Sequence, residues 1–473
     1  MGASLLLASN RGPVSFGDDG VPRRGGGGLV SALGRVQVPD DAVWVCAALS
    51  DPDRRAARAA GGRLERDPAG AVPTAVRMLD LDPVMFDRAY NAVANGVLWF
   101  VSHLLYATPS APVFGQRSRR EWAAYVAYDE AFADALAEEA AAGATVLVQD
   151  YHLSLTPRLL RERRPDLRIT HFSHTPWAPP EYFRLLPDGV ARELLTGLLG
   201  ADAAGFHSPR WADAFARCCV EILGASYDGE AVTFEGRTTQ VDVYPLGVDG
   251  DDLRAKAHDP EVTSRLDTLR DLVGDRQLLL RVDRTELSKN IVRGLEAYRE
   301  LLRRWPEHRE RVVHLAFAYP SRHDLPEYRE YTGAVQRVAR EVNEEFATPG
   351  WVPVTLEVKD DYPRSLAAMR LADVLVVNPL RDGMNLVAKE GPVLSEHGVG
   401  LVLSREAGAA DDLGADALLV NPFDVSQTAE ALHAALVMDP AERAARTTRL
   451  AAAATAFPPS RWLAAQLAVL DRS

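Results

Sequence analysis

Short apolar, β-branched runs alternate with longer amphipathic ones along most of the chain, a pattern that predicts parallel strands wrapped by helices. In the first half, apolar runs predict strands at 4–9, 42–49, 145–150, 168–174 and 203–207. Helical spacing predicts helices over 29–34, 119–142, 156–163 and 211–223, and alternation over 230–238 predicts a hairpin. The second half repeats the rhythm. Strands at 277–283, 312–318, 355–360, 373–379, 400–404 and 417–421 alternate with helices at 290–304, 325–346, 364–371, 384–397, 428–437 and 440–455. The run 242–249, holding Pro245 and Gly247, reads with the charged segment 251–259 as a boundary. The expectation is two α/β domains with parallel sheets wrapped on both faces, 1–247 and 248–458, with a cleft between them. The segment 459–473 is expected to form a terminal helix packing back on the first domain.

Length supports this division, because 473 residues exceed what one hydrophobic core usually serves. With 47% hydrophobic and 25% charged residues, the composition is that of an ordinary soluble protein. A formal charge of -13 disfavours nucleic acid or an anionic membrane as the main partner. No run approaches the ~18 apolar residues of a membrane span. Cys46, Cys218 and Cys219 offer no framework of pairs, and no cysteine and histidine spacing suggests zinc. The start lacks the layout of a signal peptide, so a cytoplasmic location is expected.

Candidate chemistry gathers where predicted strands end. In RDGMNLVAKE (381–390), two carboxylates frame a glycine at a strand-to-helix crossing. There the glycine permits a tight turn and the N–H groups of a helix start can cradle a diphosphate. Asp382 would stand at the strand end and Glu390 further along the ligand side, and an ordinary helix capped by Asp382 is the alternative these residues leave open. In VDRTELSKN (282–290), Arg284 and Lys289 stand five residues apart at a second crossing and can converge on phosphates, or else pair with surface acids. Doubly wound sheets bind ligands at such strand ends.

These segments, with QDYHLSLTP (149–157), HFSHTPWAPPEYFRLLP (171–187), YNAVANGVLWF (90–100) and SREAGAADDLG (404–414), resemble the trehalose-6-phosphate synthases over nearly the whole chain. The likeness is greatest to their actinobacterial branch, for which GDP-glucose is an alternative donor to UDP-glucose. The resemblance implies a GT-B glycosyltransferase, with two facing Rossmann-like domains and the active site in their cleft. It would move glucose with retention from a nucleoside diphosphate glucose to glucose 6-phosphate, with no metal or other cofactor. A homo-oligomer is left open.

Position by position, the resemblance makes Arg284 and Lys289 the diphosphate clamp, aided by main-chain groups at Gly383, Met384, Asn385, Leu386 and Val387. Glu390 would accept from the ribose, Asp382 from the glucose hydroxyls, and Gly28 would move over the donor. His174 would contact the glucose 6-hydroxyl near the anomeric centre, and Asp150 would orient acceptor hydroxyls. Arg11, Tyr90, Trp99 and Arg322 match the family's set for glucose 6-phosphate. His152, two residues after Asp150, is expected to face away from it. Tyr182 and Phe183 read as core contacts and Trp177 as a loop wall. The implied reaction runs on one face of the sugar, the leaving phosphate oxygen taking the acceptor's proton.

Two departures bear on specificity. Many relatives carry a tryptophan where Ala47 stands, which opens two alternatives: a pseudo-glycosyltransferase joining a nucleotide-cyclitol to an aminocyclitol phosphate, and a glucosylglycerol-phosphate synthase. Asp360 and Asp361 stand where many relatives have an uncharged pair near the base. A carboxylate there suits the N–H edge of guanine, unless both acids face solvent or cap the next helix. A sugar-phosphate-binding protein without activity would be expected to lack Arg284, Lys289, Asp382 or Glu390, all of which are present. A nucleotide-sugar oxidoreductase would carry its glycines directly after the first strand, whereas GGGGL comes after a long loop.

Overall fold

The computed structural model describes residues 2–25, 38–65, 74–322 and 325–470, so the predicted helix 29–34 and Gly28 lie outside the described residues. Two compact units form, Met1–Tyr244 with Pro459–Ser473, and Pro245–Pro458.

In the first unit the described strands are β1 (Ala3–Ala8), β2 (Val14–Phe16), β3 (Pro22–Arg24), β4 (Val43–Ala47), β5 (Arg63–Leu64) and β6 (Ala75–Leu79). They continue with β7 (Ala140–Gln149), β8 (Arg168–Ser173), β9 (Ala203–Phe206), β10 (Ser226–Tyr227), β11 (Ala231–Phe234) and β12 (Arg237–Val243). Among the described residues, ten of these make one sheet in the order β10-β11-β12-β9-β8-β7-β1-β4-β6-β5. It is parallel from β12 to β6, and the predicted hairpin supplies antiparallel β11 and β12 at one side. Strand order reverses between β1 and β7. Residues such as Leu6, Val43, Val45, Val146 and Ile169 are wholly buried, because helices cover both faces.

The second unit holds β13 (Gln277–Arg284), β14 (Val312–Tyr319), β15 (Val354–Glu357), β16 (Val374–Val377), β17 (Gly400–Ser404) and β18 (Leu418–Val420). These form a parallel six-stranded sheet in the order β15-β14-β13-β16-β17-β18. Here the order reverses between β13 and β16.

Several elements differ from the sequence reading. The segment 88–98, which overlaps the YNAVANGVLW text, winds as a wide π-type helix, Arg88–Leu98, before one α turn at Trp99–Ser102. The helix predicted over 211–223 is α only over Pro209–Cys218 and then widens over Cys219–Leu223. The charged segment 251–259 forms a helix, Gly250–Ala257, capped by Asp249 and anchored by buried Leu253 and Ala257. The terminal helix Pro459–Val469 buries Trp462 edge-on against Phe172 of the first unit. No helix among the described residues is long and apolar enough to cross a membrane.

Candidate functional site

In the second unit, the motif residues stand at the carboxyl ends of β13, β14, β16 and β17, beside the reversal of strand order. That is where open α/β sheets hold ligands. Lys289, after β13, places its ammonium 2.6 Å from Asp382 Oδ2, after β16. Asn385 Nδ2 donates to the same oxygen at 3.0 Å. Burial works against the Lys289 charge, but Asp382, Asp283 and Glu286 hold it above its ordinary value. Arg284 is half-exposed and lies 2.9 Å from the wholly buried Glu286.

Buried polar residues brace this group. Arg281, wholly buried in β13, donates to Asp283 at 2.7 Å, to the Lys289 carbonyl at 3.2 Å and to the Asn378 side chain. Burial pushes Asp283 up to about 6, against the pull of Arg281 and Lys289. Asn290 donates to the carbonyls of Asn378 and Pro422, tying the loop after β13 to those after β16 and β18.

The RDGMNL turn differs from expectation in one detail. The positive φ in this segment belongs to Asn385, at 84°, so the helix starts at Val387 and runs to Leu394 rather than over 384–397. The Asn385 side chain also accepts from the Ala388 N–H at the helix start. SREAGA lies directly beside the turn: Gly408 N–H donates to Asp382 and Ala409 N–H to Met384, at 3.1 and 2.8 Å. A Cβ on Gly408 would meet the Gly383 carbonyl at 2.0 Å, so only glycine permits this approach.

Glu390, partly exposed, is pushed up to about 7 by burial of its carboxylate, with Lys256 opposing. Burial and then Asp360, Asp361 and Glu390 raise the Tyr319 hydroxyl, which makes no hydrogen bond among the described residues. Asp361 accepts from Arg364 N–H as the cap of the helix Tyr362–Leu371 and pairs with Arg265 at 3.3 Å, whereas Asp360 is exposed. Arg322, after β14, donates to Tyr328 Oη at 2.7 Å and lies 3.5 Å from Glu286.

The first unit gathers its candidates at the ends of β1, β7 and β8. Asp150 turns with φ 73°, and its side chain accepts from the His174 N–H at 3.2 Å. His174 Nε2 lies 3.0 Å from Gln149 Oε1 and its Nδ1 3.1 Å from His207 Nε2. With the amide oxygen as acceptor, Nε2 carries the proton and Nδ1 accepts from His207. Burial, then His207 and His171, hold the ring well below its usual range, so it is neutral.

His152 does not face away from Asp150. Its Nδ1 lies 3.9 Å from the carboxylate, from the short helical turn Tyr151–Leu153 that follows Asp150. Tyr90 stacks on His152 and on Phe86, at ring separations of 5.6 and 5.3 Å. Trp99 is buried and stacks 3.9 Å from His103. Arg11 is exposed just beyond β1, and Ala47 is buried at the end of β4. Two motifs meet through a buried bond, Tyr151 Oη to Asn95 Oδ1 at 2.9 Å. Phe183 and Trp177 are buried and stack on each other, while Tyr182 accepts from the Tyr106 N–H at 2.8 Å.

Sequence reasoning passed over Arg281, Asp283, Glu286, Gln149, His207 and Trp462. A signal existed for the first two, because Arg281 and Asp283 are charged residues two apart on one face of an otherwise apolar strand. Nothing local marks His207 or Trp462, whose partners lie far along the chain.

Residues 19–472 match the profile of glycosyltransferase family 20. A trehalose-6-phosphate synthase of Mycobacterium sp. (strain KMS) is 34% identical over 485 residues, covering 99% of this chain and 95% of that protein. An E. coli structure bound with UDP-2-fluoro glucose superposes with a TM-score of 0.87 at 27% identity, covering 99% of both chains. A UDP-forming synthase from Burkholderia xenovorans in complex with glucose-6-phosphate gives 0.86 at 28% identity, covering 99% of this chain and 100% of that one. Other curated relatives are longer, and the chain spans 60% and 47% of two of them. The α/β two-sheet fold is the one these GT-B structures share.

Proposed function

Since the chain belongs to glycosyltransferase family 20, we propose that it is a retaining glucosyltransferase carrying glucose from a nucleoside diphosphate glucose to glucose 6-phosphate, yielding α,α-trehalose 6-phosphate. The observation that carries this reading is the Lys289–Asp382 pair beside half-exposed Arg284, at the reversal of strand order. Arg284, Lys289 and the start of the helix Val387–Leu394 supply positive charge for a diphosphate. Asp382 accepts from glucose hydroxyls, and Glu390 accepts from the ribose.

In the first unit, neutral His174 exchanges its Gln149 partner for the glucose 6-hydroxyl, and Asp150, with His152 beside it, orients the acceptor. Arg11, Tyr90, Trp99 and Arg322 are the residues assigned to glucose 6-phosphate. The acceptor hydroxyl oxygen bonds to the anomeric carbon on the face from which the phosphate oxygen departs, and that oxygen takes the proton. Arg284 and Lys289 stabilise the charge growing on the leaving group, the largest electrostatic demand of the step.

The finer reading of the donor is GDP-glucose. Asp361 is occupied by its helix cap and Arg265, so exposed Asp360 is the carboxylate available to the N–H edge of guanine. Ala47 supports a second reading, transfer to an aminocyclitol or glycerol phosphate, since a small buried residue stands where many relatives have an aromatic wall. Initial rates for UDP- and GDP-glucose against glucose 6-phosphate, glycerol 3-phosphate and an aminocyclitol phosphate separate these readings. Faster turnover with UDP-glucose would remove the role given to Asp360.

A further inference from the structure

Glu286 has no part in the reading above, yet it sits at the centre of the charged group. It lies two residues beyond β13, level with Ser321 and Arg322 just beyond the neighbouring β14. Its side chain is wholly buried. Oε1 lies 2.9 Å from an Arg284 Nη1 and accepts the Ser321 hydroxyl at 2.9 Å, while Oε2 lies 3.5 Å from Arg322 Nη1. Burial alone would raise this acid, but Arg284, Arg322 and Lys289 hold it down to about 2, so it is ionised at any working pH. A buried carboxylate is tolerated when cations and hydrogen bonds surround it, and this one has both.

We propose that Glu286 is a positioning residue whose single carboxylate fixes Arg284 and Arg322 together, so that recognition of the donor diphosphate and of the acceptor phosphate depends on one buried anchor. The inference rests on the glucosyltransferase reading and deepens it. Each arginine has a long side chain whose rotamer freedom must be given up when it grips a phosphate. Glu286 restricts that freedom beforehand and offsets the repulsion between two guanidiniums held near one another. Arg284 keeps half its surface exposed.

The test uses the full chain with Glu286→Gln, which keeps the shape and removes the charge, and Glu286→Asp, which keeps the charge. E286Q is expected to raise KM for the nucleotide sugar and for glucose 6-phosphate together by about tenfold each, the scale of one charge-assisted hydrogen bond, with a smaller change in kcat. E286D should recover part of both losses, and Arg322→Lys should raise KM for glucose 6-phosphate alone. Both KM values within twofold of the parent, or a fall in kcat alone, would overturn the proposal. If E286Q does not fold, E286D decides: a smaller paired rise supports the role, whereas a lowered melting temperature with unchanged KM values removes it. The parent protein run in parallel separates the two ideas. No disaccharide phosphate from the parent defeats the glucosyltransferase reading and this role with it, whereas normal parent activity with unaltered E286Q constants defeats only the role of Glu286.

Discussion

Lys289 and Asp382 meet at 2.6 Å across the reversal of strand order between β13 and β16, joining two segments 93 residues apart in sequence. With both side chains mostly buried, the ammonium is held charged and fixed before any ligand arrives. Lys289→Ala should lower kcat by about 10²–10³-fold, the scale for removing one group that stabilises transition-state charge. Steady-state rates at saturating substrates measure this, and a loss under threefold would show that Lys289 does not face the leaving group.

The ribose contact proposed for Glu390 carries a pH dependence. Its carboxyl is pushed up to about 7, so it gains a proton as pH falls from 8 to 6 and loses one of two oxygens that accept from a ribose. KM for the nucleotide sugar should rise over that interval, and in Glu390→Gln it should be raised throughout and flat. An unvarying KM in the parent protein would contradict this assignment.

Asp129 makes a separate prediction about stability. Its Oδ1 accepts from the N–H groups of Leu155 and Thr156 and from the Thr156 hydroxyl, at 2.7–2.9 Å, yet burial pushes the carboxyl up from 3.8 to about 8. Between those values the folded protein keeps a proton that the unfolded chain has lost. Stability from this group is therefore complete below the lower value and declines by about 1.4 kcal/mol per pH unit until the upper one. Asp129→Asn removes that slope. Calorimetric melting temperatures should show the variant gaining on the parent from pH 5 to pH 8, and a constant gap would contradict the shift.

Trp462 connects the terminal helix to His174. It is fully buried, with its ring centre 5.6 Å from that of His174. Trp462→Ala should cost about 3–5 kcal/mol through the cavity it leaves, seen as a lowered melting temperature, and should reduce kcat by loosening the wall behind His174. Its Nε1 makes no hydrogen bond among the described residues, so Trp462→Phe should restore most of both. Equal loss in the two variants would argue against a packing role.

Strands β16 and β17 were legible because residues buried on both faces leave continuous apolar runs, β13 because Leu278–Leu280 and Val282 keep it mostly apolar, and the helix Thr156–Arg163 has its predicted bounds. Periodicity reports which face of an element is buried, and it fails where the backbone leaves the regular period. His152 stands beside Asp150, as residues two apart on a strand do, and the helix after Gly383 starts later than its text suggests because Asn385 takes a positive φ. The π-type winding of Arg88–Leu98 left no mark in the periodicity, although it makes bonds beyond its own turns, the Tyr106 hydroxyl donating to the Gly96 carbonyl and Tyr151 Oη pairing with Asn95 Oδ1. The Arg284 and Lys289 positions were readable from their motif. Glu286 between them was passed over because its partners Ser321 and Arg322 come from the next strand.

The most direct test is to incubate the protein with GDP- or UDP-glucose and glucose 6-phosphate and to identify the product by mass and by the anomeric couplings in its proton spectrum. The account predicts a disaccharide monophosphate with both anomeric centres α, formed in step with nucleoside diphosphate release. No disaccharide phosphate with either donor, or a β linkage at the transferred glucose, would contradict it.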